Sequence, residues 1–447
     1  MEKDLTKGSI YKALRDFSIP FLIANLLQAV YGAVDLAVVG AFTDTAGLSA
    51  VSIGTQVMQI VNGLILGITM GGTILTGQFY GAGKKEETQK TVEAVLSSGL
   101  VFSLIITAMM FIFTNPLLKL LKTPEAAFID ARNYVLVASA GVIFIFGYNA
   151  VSAILRGLGD SKHPLYFIGI ACVLNVILDL VFVGKIGMRA EGAALATIIS
   201  QGLSMVLALI FINSGKTEFK FRLRSLRANS EKIKTLVSLG FPISLQEVLL
   251  WGSFLVIVAI ANFMGVAESA AVGIVAKVET FAMLPPMALS YALTALTAQN
   301  MGAKEVERAK TALKASIGFS IAISVIFILW AQIAPETIIK LFQADQPVIE
   351  VGSEYLRTFS IDFFAVSFKF NLNGFLNGCG CTTFTMINGI FASVFVRVPL
   401  AYLLAITLSC GMTGLGLAAP IASLVSIICS LIFIKTGTWK EKSLETI

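Results

Sequence analysis

The sequence predicts an all-α integral membrane protein: twelve transmembrane helices in two pseudo-symmetric, parallel six-helix bundles with a central cleft. Three observations predict it. Hydrophobic residues fill 56% of the 447 positions and charged residues only 13%, about half the roughly 25% of a soluble domain. The two halves of the chain repeat one another at a nearly fixed offset. The basic residues fall on alternate connections between apolar runs.

Mean hydropathy is +0.84, more apolar surface than a soluble chain of this length could hide. The composition excludes a disordered, collagen-like or small disulfide-stapled protein. A single histidine argues against His-based catalysis and most zinc chemistry. The net charge of +6 comes from short basic clusters between apolar runs, which suits an anionic membrane face and not nucleic acid. The five cysteines (Cys172, Cys379, Cys381, Cys410, Cys429) read as small buried hydrophobes, most of them inside apolar runs. Cys379-Gly380-Cys381 lacks the spacing of a CxxC pair.

A bilayer core needs about 20 apolar residues per helix. Runs that meet this lie at approximately 17–40, 48–77, 91–114, 132–155, 164–184, 192–212, 236–262, 269–300, 312–333, 355–377, 383–409 and 413–435. Pro20, Pro242, Pro285, Pro286, Pro399 and Pro420 fall inside runs and are kink candidates. Residues 1–16 are highly charged and the run after them is too long for a signal h-region, so the first span is expected to be an uncleaved anchor. One set of alternate connections collects 23 bases and the other 6. That asymmetry places both termini in the cytoplasm of a multi-pass protein of the plasma (inner) membrane, with an even span count.

The longest polar connection is central. It divides the chain into an N-terminal six-helix lobe (1–212), a basic cytoplasmic linker (213–234) and a C-terminal six-helix lobe (235–447). Pro20 matches Pro242. Gln78, Gly81 and Ala82 match Gln299, Gly302 and Ala303. Leu155-Arg156-Gly157-Leu158-Gly159 matches Leu376-Asn377-Gly378-Cys379-Gly380. Six spans per half is even, so the halves insert the same way up, about an axis along the membrane normal.

An ionisable group at membrane depth is costly and therefore points to function. The N-terminal half holds two, Asp35 and Asp179, and no base at mid-depth. If they converge, both cannot stay ionised unless a proton or a metal cation joins them. Their surroundings are rich in oxygen. Asn25, Gln28, Gly32 and Asp35 share one helical face, Asn175 and Asp179 are one turn apart, and so are Thr197 and Gln201. Hard oxygen ligands suit Na⁺ or H⁺ and not zinc or copper. The alternative is that the amides merely glue helices together.

The C-terminal half carries Glu247, Lys277, Glu279, Asp362, Lys369 and Arg397. Three acids and three bases suggest internal ion pairs. Asp35 maps near Ile257 and Asp179 near Ala401, so the acid pair is not repeated. Glu247, at mid-depth, suits substrate contact or structural pairing equally. Tyr31, Tyr148, Tyr291 and Met287 are candidates to line an apolar substrate cavity, and Asn25, Gln28, Gln201 and Glu247 are further candidates to contact substrate or line a cavity. Gly81-Ala82-Gly83-Lys84 lacks the spacing of a phosphate loop. His163 reads as a loop residue, and the mixed charges at 84–90 and 304–314 read as solvated.

Pro20 and Asp35 on span 1, Asn175 and Asp179 on span 5, Thr197 on span 6, and the segments Gln78-Phe79-Tyr80-Gly81-Ala82 and Leu155-Arg156-Gly157-Leu158-Gly159-Asp160 resemble the MATE (multidrug and toxic compound extrusion) transporters. The resemblance covers nearly the whole chain. It implies an antiporter that exports mostly cationic, amphipathic small molecules in exchange for Na⁺ or H⁺. The chain is further expected to work as a monomer among membrane lipids, with no cofactor and no nucleic-acid partner. It places the cation site on Asp35, Asn175, Asp179 and Thr197 and a bend in span 1 at Pro20. The glutamate that the NorM-like branch carries on span 7 stands a few residues further from the proline than Glu247 does from Pro242. The alternative function is a lipid or lipid-linked oligosaccharide flippase, which would want several central cations. Here only Lys277, Lys369 and Arg397 qualify, all accompanied by acids. An enzyme is disfavoured, because no HExxH or GxSxG motif occurs.

Overall fold

Hydrocarbon offers the backbone no hydrogen-bond partner, so a chain this apolar must satisfy its N–H and C=O groups within each segment. The computed structural model accordingly consists of helices. It describes residues 4–215, 218–219, 230–342 and 344–440, and no strand occurs among them. The first half contains α1 (Ile10–Phe42), α2 (Thr45–Gly81), α3 (Lys85–Leu120), α4 (Glu125–Ala140), α5 (Val142–Gly157), α6 (Lys162–Asp179) with a π segment (Leu180–Lys185), and α7 (Arg189–Asn213). The second contains α8 (Ser230–Met264), α9 (Val266–Gly302), α10 (Val306–Ile333), α11 (Pro335–Lys340), α12 (Gln346–Phe359), α13 (Ile361–Gly378) and α14 (Thr382–Ile390). A π segment (Phe391–Arg397), α15 (Val398–Tyr402), a second π segment (Leu403–Thr407) and α16 (Gly411–Thr436) complete it.

Among the described residues ten helices are long and apolar enough to cross a membrane, and α4 with α5, bent by 45°, makes an eleventh. The twelfth expected span, 355–377, falls on α12 and α13, where Arg357, Asp362 and Lys369 dilute the hydropathy. Two expectations need correction. The run 132–155 is a broken span, interrupted at Gly141, and the run 355–377 is interrupted at Ser360. Hydropathy reports how much of a segment is apolar, not where its i→i−4 ladder stops. Conversely, α1, α8, α9 and α16 run unbroken through Pro20, Pro242, Pro285, Pro286 and Pro420. The cysteines are only partly as expected. Cys172, Cys379 and Cys381 are buried, but Cys410 is exposed at the start of α16.

The chain forms two compact units, one built on Ile19–Ser244 and the other on Leu5–Ser18 with Leu245–Ile447. These differ from the lobes 1–212 and 235–447 because the first helix of each half is divided. Leu5, Ala13, Leu14 and Phe17 are buried in a cluster with Leu293, Leu296 and Phe375. The Leu5 N–H donates to Gln299 Oε1 at 2.9 Å, and Arg308 donates to the carbonyls of Leu5, Lys7 and Gly8. In the first unit the start of α8 is held by Lys232, whose Nζ lies 2.7 Å from Glu87 Oε2 and 3.9 Å above the Phe79 ring. The expected linker 213–234 lies largely outside the described residues. The runs 84–90 and 304–314 carry exposed ion pairs such as Lys310–Glu307, as expected, yet Glu87 and Arg308 within them anchor other segments.

The repeat is visible in individual contacts. Thr73 Oγ1 donates to the Ala153 carbonyl at 3.1 Å, and Thr294 Oγ1 to the Gly374 carbonyl at 3.0 Å. A Cβ on Gly157 would stand 2.7 Å from Thr76 Cβ, and one on Gly378 would stand 2.6 Å from Thr297 Cβ. Small residues allow this backbone approach where dispersion, and not water exclusion, holds helices together. Elsewhere the halves diverge. Gly99 packs on Phe146 and Ala150 across α3 and α5. The matching α10–α13 seam is polar, with Ser316 donating to Asn371 Oδ1 at 2.5 Å and Ser367 to Ser324 at 2.9 Å.

Candidate functional site

Asp35 belongs to α1, and a turn before it comes Tyr31. Asp179 ends α6, and the ladder then widens into the π segment, a feature frequent at functional sites. Asn175 lies one turn earlier on the same face of α6. Packing of α7 beside α6 brings up Thr197, whose Oγ1 accepts from Asn175 Nδ2 at 3.5 Å. Asp35 is 6% exposed and Asp179 is fully buried. The two carboxyl groups are near enough to act on one another electrostatically. All four residues predicted to hold a cation therefore converge inside the first unit.

The chemistry of the site is an excess of acceptors. Asp35 Oδ1, both Asp179 oxygens, Asn175 Oδ1 and Gln201 Oε1 are buried without a hydrogen-bond partner. Unmet buried acceptors are costly, and charged ones most of all. Beside them is a cavity with room for about one water-sized occupant, lined by Tyr31, Cys172, Asn175, Thr197, Ser200 and Gln201 among others. Among the described residues no group of three His, Cys, Asp or Glu side chains could hold a metal. The donor set is instead carboxylate, amide and hydroxyl oxygen, which fits a hard monovalent cation or a proton.

Tyr31 and Gln201, read as cavity-lining candidates, do line this cavity, and their side chains meet. Asn25 is half-buried and Gln28 exposed further back on α1; neither lines it. Glu247 on α8, and Met287 and Tyr291 on α9, are half-buried outside it. Tyr148 is a packing residue instead, buried with its hydroxyl donating to the Pro164 carbonyl at 3.1 Å. Pro20 is buried within α1. His163 pairs with Asp160 and stacks on Phe211 at 4.0 Å. Sequence reasoning missed Tyr134 on α4, which is buried within the electrostatic range of both aspartates and whose hydroxyl lies 3.3 Å from Thr55 Oγ1. The signal available was the repeat, since Tyr355 occupies the matching place in the second half.

Outside the spans, Asp44 caps α2. The Gly47 N–H, and then Arg189 at 2.6 Å, hold its carboxyl below the usual carboxylate range. Arg189 also reaches Asp130 Oδ2 at 3.1 Å, which ties the ends of α2, α4 and α7 together.

The expected ion pairs of the second half are not made. No carboxylate oxygen approaches Lys369 or Arg397 within 4.0 Å among the described residues. Lys277 lies 5.6 Å from the Phe342 ring centroid. Equal numbers of opposite charges do not ensure contact when the residues sit on rigid, separately packed helices.

Comparison with known proteins bears on both halves. The MatE family model matches residues 20–181 and again 242–403, the same repeat that the contacts display. The chain is 28% identical over 445 residues to "Probable multidrug resistance protein YpnP" of Bacillus subtilis, covering 99% of each. It is 25% identical over 450 residues to "Probable multidrug resistance protein NorM" of Thermotoga maritima, covering 98% of this chain and 95% of the relative. A solved structure described as the outward-facing conformation of a multidrug resistance MATE family transporter superposes with a TM-score of 0.91 at 22% identity, covering 98% of each chain.

Proposed function

The chain belongs to the MatE family of multidrug and toxic compound extrusion transporters, and on that premise we propose that it is a cation-coupled antiporter, driven by Na⁺ or H⁺, that exports cationic and amphipathic organic compounds by alternating access. The observation that carries this reading is the buried acceptor set of Asp35, Asn175 and Asp179, whose carboxylates have no ion-pair partner among the described residues. A cation arriving from solution supplies the missing charge. A Na⁺ among these oxygens, or a proton shared by the two carboxyls, satisfies the site. Thr197 fixes the Asn175 amide so that its carbonyl oxygen stays available.

Coupling needs a ligand that binds two states unequally. The coupling cation favours the outward-open release state, and the same acidic charge attracts a cationic substrate. Occupation by one then lowers the affinity for the other, by competition or by a change in α1, and linkage makes the effect reciprocal. Pro20 lies on the helix that carries Asp35, a suitable place for such a change. On this reading both termini are cytoplasmic, the protein works as a monomer in the plasma membrane, and it catalyses no covalent chemistry. A flippase for lipid or lipid-linked oligosaccharide is the weaker reading, because the acids Glu279 and Asp362 oppose the charges of Lys369 and Arg397 electrostatically.

The test is efflux of a fluorescent organic cation from proteoliposomes with Na⁺ and pH gradients imposed separately. Asp35→Asn should fold and lose gradient-driven efflux. Efflux by that variant equal to wild type would sink the assignment.

A further inference from the structure

Asp179 is the last residue of α6, and neither of its carboxylate oxygens has a hydrogen-bond partner. No hydrogen bond of its own side chain fixes it, so its place is set by the backbone that follows. That backbone widens into the π segment Leu180–Lys185 and then turns tightly. The Ile186 N–H donates to the Val181 carbonyl at 2.9 Å, and the Met188 N–H to the Phe182 carbonyl at 2.8 Å. Helix α7 begins at once with Arg189 and packs on the same turn: a Cβ on Gly192 would stand 2.9 Å from Met188 Cβ and 3.2 Å from Phe182 Cβ. Thr197, which holds the Asn175 amide, follows about two turns further along α7. A shift of Arg189 therefore reaches the acceptor set both through Asp179 and through Thr197.

Arg189 stands at φ 51°, in the left-handed region that a side chain disfavours. The turn occurs twice in the molecule. In the first unit φ runs 78°, −73° and 51° over Gly187, Met188 and Arg189. After the last π segment of the second it runs 53°, −80° and 57° over Ser409, Cys410 and Gly411. The second unit thus has glycine where the first keeps arginine. The reason lies in the side chain. Arg189 Nη2 is 2.6 Å from Asp44 Oδ1, and its Nε is 3.1 Å from Asp130 Oδ2. Asp44 caps α2, and Asp130 lies one turn before Tyr134 on α4. Their counterparts are Gly265, which caps α9, and Val351, one turn before Tyr355 on α12. Neither can pair with a base, so the clasp belongs to the unit that carries the acidic site.

Stability does not account for this clasp. All three side chains are partly exposed, and exposed ion pairs contribute little. The left-handed backbone works against them. Strain kept on those terms, next to a site, points to function.

We propose that Arg189 is a positioning residue for the coupling site: by gripping Asp44 and Asp130 it holds the end of α6 and the start of α7 at the separation that lets Asp179, Asn175 and Thr197 share one small cation. This rests on the antiport reading and adds what sets the affinity of its cation site. The planar fork of Arg189 reaches two carboxylates at once. A separate link, from Asn133 Nδ2 to Glu191 Oε1 at 2.5 Å, keeps α4 beside α7, so removing the fork loosens the turn without parting the helices.

The experiment measures efflux of a fluorescent organic cation from proteoliposomes holding the full-length protein, with Na⁺ titrated at fixed pH and then pH titrated without Na⁺. Arg189→Gly should raise the half-saturating Na⁺ about tenfold, or move the pH midpoint about one unit towards acid, and leave the maximal rate within about twofold. Its thermal midpoint should not fall, because glycine relaxes the turn. Asp130→Asn should shift half-saturation in the same direction, and the double variant no further than Arg189→Gly alone. An unchanged half-saturation in Arg189→Gly, a loss confined to the maximal rate, or additive shifts in the double variant would overturn the proposal. If Arg189→Gly does not fold, Asp130→Asn decides alone. A wild type that answers to neither Na⁺ nor pH would refute the antiport reading and the positioning role with it. A responsive wild type beside unshifted variants would refute the positioning role only.

Discussion

The acidic site of the first unit gathers two buried carboxylates, Asp35 and Asp179, with no ion-pair partner among the described residues. The second unit, on the same helical plan, carries Glu279, Asp362, Lys369 and Arg397, with no ion pair among them. Yet the contacts that hold the helices together are nearly superimposable: Thr73 to Ala153 against Thr294 to Gly374, and Gly157 on Thr76 against Gly378 on Thr297. The difference teaches that the repeat fixes backbone proximity and leaves charge free to vary. Close approach depends on the absence of side chains, which cannot drift without breaking the bundle. Ionisable groups sit between those contacts, where each half can carry a different set.

The largest effect that would break this comparison is functional. Asp179→Asn should reduce gradient-driven efflux roughly 100-fold, whereas Asp362→Asn should keep its response to the gradient. Equal loss of gradient response in both variants, measured in the same proteoliposomes, would mean that the two units share the coupling role.

Next in size is the shared scaffold. Gly157→Ala and Gly378→Ala each force a Cβ against a threonine and a carbonyl, and each should cost about 3 kcal/mol. Thermal unfolding of the purified variants should place them together. A clear gap would show that the matching contacts are not energetically matched.

The polar seam gives a smaller effect. Asn371→Ala leaves Ser316 without its acceptor and should cost about 2 kcal/mol. Ala150→Gly at the matching apolar position should cost about 1 kcal/mol. The reverse order in thermal unfolding would show that the hydrogen-bonded seam is not the stronger of the two.

The smallest effect concerns a single turn. Gly83 has φ 70° after α2, and Lys304 has φ 63° at the matching turn after α9. Lys304→Gly should stabilise by about 1 kcal/mol, since a side chain in the left-handed region carries that much strain. A thermal midpoint that does not rise would show that the turn tolerates lysine without strain.

By itself the sequence determined the helical membrane fold, the repeat and the identity of the acidic residues. Hydropathy is a local property, the offset between halves is carried by covalent order, and an aspartate in an apolar run is conspicuous wherever it falls. Asn175 and Asp179 were legible as one face because helical periodicity alone aligns them. Tertiary structure alone decided that Asp35 and Asp179 come within electrostatic range of one another and that Tyr134 is buried within that range too. It also decided that α1 and α8 are each divided between units, that Cys410 is exposed, and that the charges of the second half stand apart. These depend on which helices pack together and at what rotation. Many weak contacts summed over whole faces set that rotation, and no single segment of sequence carries it.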